Sequence, residues 1–297
     1  MRKAFFNSLV KSAESDKDII LLSADLGFGF IEPYISKFPN QFINVGVSEQ
    51  AMLGIANGLA IGGKKVICYS IASFSLIRPF EFFRNGAIAQ HSGVMVVGVG
   101  PGFDYSQDGL THYCLEDLAL VQSQPGLLIK TPATPTDVSA SLLNFVANPV
   151  PTYLRLPRSY SKIDYSDVAT TEIIETDVLV ISTSLMFERT EQIVTSLSNS
   201  GIKIIVRKIT ELSTQVDLLL IKQLSLSKVC LVVEDHYEFG GVGSRISDLI
   251  LKHYLNTKLI KDAVVLFPRG AIGSFDFITK KLMMNQHDIV QRVLNAQ

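Results

Sequence analysis

Short apolar, β-branched runs alternate with helical patterns through most of the chain, and this alternation limits the fold more than any other feature. The strand candidates are Ile19–Ser23, Phe42–Val45, Lys65–Tyr69, Val94–Val99, Leu127–Thr131 and Thr152–Leu156. Between them lie helical patterns at Ala4–Lys11, Ser48–Ile61, Pro79–Gln90, Cys114–Gln122 and Pro135–Ala147. Strands separated by helices of this length make βαβ units and a mostly parallel sheet covered on both faces. Thr134 followed by Pro135 is a helix start, with Thr134 as the N-cap and proline at the first helical position. From Pro157 to Thr176 the pattern lapses into serine and threonine. Alternation then resumes with Val178–Thr183, a helix over Phe187–Ser198, Lys203–Arg207, a short helix through Leu220, Val229–Glu234, a helix over Gly243–His253 and Val264–Phe267. The expected fold class is therefore α/β, in two domains, each a mostly parallel sheet flanked by helices. The domains span 1–160 and 177–297, with a linker at 161–176. A length of 297 residues accommodates both cores.

Charge excludes several functions. Lys and Arg number 27 and Asp and Glu 28, a net charge of −1, so neither a basic nucleic-acid groove nor a charged membrane-surface helix is expected. Mean hydropathy is +0.29, yet the longest stretch without a charged residue, Asn85–Phe103, is broken by Gln90, His91 and Pro101 and is not a spanning helix. Asn7 and Lys11 interrupt the apolar start, which argues against a secretory leader. The three cysteines, Cys68, Cys114 and Cys230, lack a CxxC pair and read as reduced thiols of a cytoplasmic protein. From Glu49 to Lys130 charge falls to about 13%, against 19% for the chain. A sheet buried on both faces explains that, and so does a surface that meets another chain.

Four constellations can carry chemistry. In Asn44-Val45-Gly46-Val47-Ser48-Glu49-Gln50, a strand runs into a helix and places Glu49 at the junction. A carboxyl group among small apolar neighbours is costly to ionise and can hold a proton; it can equally serve the helix dipole. Gln107-Asp108-Gly109-Leu110-Thr111-His112 follows a glycine-rich turn beyond a buried strand, where parallel sheets carry their ligand loops, although a turn and N-cap fit the same residues. Phe74, ahead of Arg78, can stack on a flat heterocycle or pack in the core. Glu234-Asp235-His236 with Gly240-Gly241-Val242-Gly243-Ser244 offers a strand, a glycine turn and a helix N-terminus that can bind an anion. Neither GxGxxG, a P-loop, zinc spacing nor a GxSxG elbow is present.

Taken together, Ser23-Ala24-Asp25-Leu26-Gly27, Gly46-Val47-Ser48-Glu49-Gln50, Asp108-Gly109-Leu110-Thr111-His112-Tyr113, Arg155-Leu156-Pro157-Arg158 and Glu234-Asp235-His236 resemble the transketolase family of thiamine-diphosphate enzymes. The likeness runs along nearly the whole chain. It covers the family's pyrimidine-binding and C-terminal domains, but not the diphosphate-binding domain with its Gly-Asp-Gly metal motif. The resemblance therefore implies the C-terminal (β) subunit of a split transketolase, transferring a two-carbon ketol unit between sugar phosphates. It implies thiamine diphosphate with Mg2+ (or Ca2+ or Mn2+) held mainly by an N-terminal partner subunit, no metal ligand in this chain, and an α2β2 assembly. Glu49 matches the glutamate that hydrogen-bonds the aminopyrimidine and favours its imino form. Phe74 matches the ring that stacks on it, and Asp25 an acid near the thiazolium. Asp108 and His112 match residues at the substrate's hydroxyl end, with Glu49 and His112 as the catalytic pair, and Arg158 falls near a phosphate-binding arginine. A histidine that many transketolases carry eight positions before the Asp-Gly falls at Gly100, so the loop is expected to take a different sugar. The alternatives are the β subunit of a 2-oxoacid dehydrogenase, a carboligase like deoxyxylulose-phosphate synthase, and a scaffold without catalysis.

Overall fold

Continuous apolar runs form the strands, because a parallel strand covered on both faces has no wet side to alternate with. The computed structural model describes residues 1–161, 163, 173–212 and 217–297. Its first six strands are β1 (Ile19–Ser23), β2 (Phe42–Asn44), β3 (Lys65–Ile71), β4 (Val94–Val99), β5 (Leu128–Lys130) and β6 (Thr152–Leu156). They pair in parallel in the order β2-β1-β3-β4-β6-β5. Every residue of β1, β4 and β6 is buried.

Helices α1 (Arg2–Ala13), α2 (Glu32–Lys37), α3 (Glu49–Ile61), α4 (Phe80–Phe83), α5 (Asp117–Gln122) and α6 (Pro135–Ala147) accompany these strands. α1 packs against α6, and its Phe5 and Phe6 rings meet Tyr69 of β3. Phe5 is wholly buried, which stabilises the fold by about 2–3 kcal/mol relative to leaving the ring in water. Thr134 caps α6 as expected. Its Oγ1 accepts from Asp137 N at 3.2 Å, and Asp137 Oδ2 accepts from Thr134 N at 2.8 Å.

The helix expected over Pro79–Gln90 is interrupted. α4 widens into a π-helical turn at Arg84–Ile88, and another π-helical turn, Ser73–Ile77, precedes it. Asn57 of α3 donates to the Phe82 carbonyl at 3.0 Å, breaking the regular ladder there, and Gly86 lies so close to Asn57 that a Cβ would collide with it.

A second sheet holds β7 (Thr176–Ser182), β8 (Ile204–Lys208), β9 (Ser227–Tyr237) and β10 (Lys258–Val264), all parallel, in the order β10-β9-β7-β8. α7 (Phe187–Asn199), α8 (Leu218–Ser225), α9 (Val242–Lys252), α10 (Phe275–Leu282) and α11 (Gln286–Asn295) complete it. The strand expected at Val264–Phe267 is a correction: the strand ends at Val264, and Val265, Leu266 and Phe267 are about half exposed. β10 is an edge strand, and Lys258 and Lys261 on it hide the apolar pattern. α10 and α11 are absent from the sequence reading.

The chain divides into two units that interleave in sequence. One comprises Met1–Asp104, Leu120–Tyr160 and Thr210–Thr214; the other comprises Tyr105–Ala119, Ser161–Ile209 and Gln215–Gln297. The hydrogen bonds agree. Thr131 N donates to Thr210 O and Leu212 N to Ile129 O in the first unit, while Tyr237 N donates to Leu115 O and Gly273 N to Ser106 O in the second. Most of the linker expected over 161–176 lies outside the described residues. All three cysteines are buried thiols. Among the described residues no helix is long and apolar enough to cross a membrane.

Candidate active site

A parallel sheet offers a ligand site beyond the carboxyl ends of its strands, where the chain changes direction of travel across the sheet. In the first unit the connection from β1 leads to β2 on one side, and the next strand, β3, lies on the other. Asp25 follows β1, Glu49 opens α3 after β2, and Phe74 and Arg78 follow β3. Three of the expected residues thus share the carboxyl edge of adjacent strands.

Glu49 occupies the first turn of α3, yet its side chain is only 2% exposed. It is not a lone carboxyl among apolar groups: Arg78 Nη1 donates to Glu49 Oε2 at 2.8 Å. The same guanidinium lies over the Phe74 ring, with Cζ 4.5 Å from its centre. Sequence reasoning passed over Arg78 as a partner, because nothing local ties residue 78 to residue 49. The π-helical turn between Phe74 and Arg78 is the only nearby hint, and it too is invisible in the sequence.

Asn44 is a second residue that sequence reasoning missed. Asp25 adopts a left-handed backbone, φ 52°, a region that Asp enters more readily than most side chains but that still favours a supporting bond. Asn44 supplies that support. Its Oδ1 accepts from Asp25 N at 3.2 Å and Gly46 N at 3.0 Å, and its Nδ2 donates to Asp25 Oδ1 at 3.1 Å. One amide therefore ties the Asp25 loop to the approach to Glu49.

Arg158 stands beyond β6 at the same sheet edge. Its N–H donates to Asp104 Oδ2 at 2.5 Å, and its Nη1 to the Asp104 carbonyl at 3.3 Å. Asp108 and His112 belong to the other unit. Asp108 is exposed and His112 half-buried. Thr111 Oγ1 lies 2.9 Å from His112 Nδ1, and the Tyr105 and His112 rings are 5.8 Å apart. Gly109 between them is required: its φ is +78°, and a Cβ would come within 2.8 Å of Ile272. Tyr113 fastens the loop, its hydroxyl 2.5 Å from the Ala271 carbonyl and 3.0 Å from that of Ser106.

The glycine turn after Glu234-Asp235-His236 is not open to an outside anion. Glu234 Oε2 accepts from Val242 N at 2.6 Å and Oε1 from Gly243 N at 3.0 Å, so the chain's own carboxylate fills the N-terminus of α9. Gly241 makes the room, since a Cβ there would collide with Glu234. Burial pushes the Glu234 carboxyl up to about 7, against the pull of those two N–H groups. Asp235 accepts from Thr183 Oγ1 at 2.7 Å, and His236 Nε2 accepts from Ala119 N at 3.3 Å. Among the described residues no cluster of three or more His, Cys, Asp or Glu side chains can hold a metal ion. A cleft of about 660 Å³ lies at the opposite, amino-terminal end of the second sheet, lined by Asp177, Lys203, Lys228 and Lys258, and gathers none of the expected site residues.

Residues 1–162 match the family model described as the transketolase pyrimidine-binding domain, and residues 169–289 match that of the transketolase C-terminal domain. The chain belongs to the transketolase family. Among its transketolase relatives, a protein named as a C-terminal section in Methanocaldococcus jannaschii is 29% identical, covering 99% of this chain and 95% of that one. One of the subunits of the apulose-4-phosphate transketolase of Phocaeicola vulgatus is 28% identical, over 87% of this chain and 86% of its own length. A solved split-gene transketolase, described as an inactive β4 tetramer, superposes with a TM-score of 0.82 at 25% identity, covering 99% of this chain and 97% of that one.

Proposed function

We propose that this chain is the C-terminal (β) subunit of a split transketolase that transfers a two-carbon ketol unit between sugar phosphates. In this reading 1–160 is the pyrimidine-binding domain, 161–176 the linker and 177–297 the C-terminal domain. The observation that carries it is the buried Glu49 carboxylate linked through the Arg78 guanidinium to the Phe74 ring at the sheet's switch point. Those residues fit the pyrimidine half of thiamine diphosphate. A buried acceptor beside an aromatic face suits a flat ring that donates N–H, and the pair already receives one such group, the Arg78 guanidinium. When bound, the coenzyme supplies a nucleophilic carbon and an electron sink for cleavage beside a ketose carbonyl. Glu49 holds the ring's N–H, and Phe74 fixes the ring plane. Asp25, braced by Asn44, presents negative charge at the mouth. Asp108 and His112 bind and orient sugar hydroxyls, with His112 moving protons on the substrate. Arg158 receives the phosphate, its fork already aimed by Asp104.

The diphosphate end and a Mg2+ ion (or Ca2+ or Mn2+) are assigned to an N-terminal partner subunit in an α2β2 assembly working in the cytoplasm. Ile43, Val47, Ile55, Ile61 and Phe82 of the first unit stand exposed, and apolar groups of this size on one unit suit a covered face. The test is co-purification with that partner. The pair with thiamine diphosphate and Mg2+ is expected to transfer ketol groups from a sugar phosphate, with xylulose and sedoheptulose phosphates as the first donors to assay. The chain alone is expected to be inactive. Turnover of pyruvate with a lipoyl acceptor instead would identify a 2-oxoacid dehydrogenase, and robust transfer by the chain alone would refute the split arrangement.

A further inference from the structure

The π-helical turn Ser73–Ile77 runs from just before Phe74 to just before Arg78, and the Arg78 side chain comes back over the Phe74 ring. Its guanidinium sits 4.5 Å from the ring centre while Nη1 reaches Glu49 Oε2 at 2.8 Å. One planar group that donates N–H therefore already meets both contacts assigned to an incoming aminopyrimidine, an aromatic face and a buried carboxylate. A flat ring that took this face of Phe74 and the place at Glu49 Oε2 would compete with the guanidinium for both.

We infer that Arg78 is an internal latch: in the free chain its guanidinium occupies the pyrimidine position, and it must leave Phe74 and Glu49 before a flat heterocycle enters. The inference rests on the reading of Glu49 and Phe74 as the pair that holds the pyrimidine. Its physical logic is that a carboxylate only 2% exposed is costly to leave unpaired. Arg78 supplies the N–H donor until the ligand does. Release is cheap by comparison. The Arg78 side chain is 44% exposed and pairs through a single nitrogen rather than a bidentate fork. The latch lowers apparent affinity by the fraction of time it stays closed.

The test uses thiamine as the probe, titrated into the full-length chain by calorimetry. Arg78→Met keeps an apolar stem without the guanidinium, and Arg78→Ala is its companion. Both are expected to bind thiamine about ten-fold more tightly than the wild type and to unfold at a lower temperature without ligand. Equal, weaker or undetectable binding by the folded variants overturns the latch. If Glu49→Gln still abolishes wild-type binding, the pyrimidine reading survives that failure. Binding that persists in the Glu49→Gln, Arg78→Met double variant overturns the pyrimidine reading, and the latch with it. One measurement needs no variant: the Arg78 Nε–H resonance of the wild type is expected to move toward that of a solvent-exposed arginine as thiamine is added. A resonance that stays put overturns the latch.

Discussion

Asn44 carries more of the site's geometry than its place at the end of a short edge strand suggests. Its amide makes three hydrogen bonds, to Asp25 N, Asp25 Oδ1 and Gly46 N. With that side chain gone, the left-handed Asp25 and the turn into α3 lose their common anchor. Asn44→Ala is expected to lower the unfolding free energy by about 1–2 kcal/mol, read from urea midpoints. It should also cut ketol transfer in the reconstituted pair by more than that stability loss explains. Activity equal to wild type under conditions where both are folded would remove Asn44 from the site. Residues of this kind mark the limit of reading a single sequence. Glu49 and Phe74 could be singled out because each follows a strand, where parallel sheets place their loops, while Asp25 entered only through the family resemblance. Arg78, Asn44 and Asp104 act through partners 19 to 54 positions away, and no local pattern encodes such a pairing.

At the scale of elements, the start of α9 is a case where glycine spacing suggested an anion site and the chain supplies its own anion. The Glu234 carboxyl stands at about 7 in the folded protein, against an ordinary value of 4.5. The folded state thus keeps a proton that the unfolded chain releases between those values. The stability linked to that proton is complete below about pH 4.5 and is lost as pH rises through about 7. Urea unfolding at pH 5 and pH 8 is expected to show a steeper decline for the wild type than for Glu234→Gln, whose amide does not titrate. Equal declines would assign the pH dependence to other groups. The central strands were legible because full burial leaves continuous apolar runs. β10 was not, since an edge strand tolerates lysines. The wide turns at Ser73–Ile77 and Arg84–Ile88 were hidden too, because the Asn57 side chain that helps open the latter comes from a different helix.

At the scale of the whole molecule, the two-sheet α/β plan followed from alternation alone, and the match to both transketolase domains agrees with it. The path of the chain between the units did not follow from alternation, since periodicity reports elements and not which neighbours they join. Tyr105–Ala119 groups with the later unit, and Thr210–Thr214 with the earlier one. The halves are therefore laced rather than strung. A single protease site engineered after Tyr160 should give two bands on a denaturing gel but one peak in native chromatography, because each fragment still holds a piece of the other's fold. Two separate native peaks would show that the lacing does not bind. The same feature makes residue 160 a poor place to divide the gene: neither half, expressed by itself, would have all the chain its own fold requires.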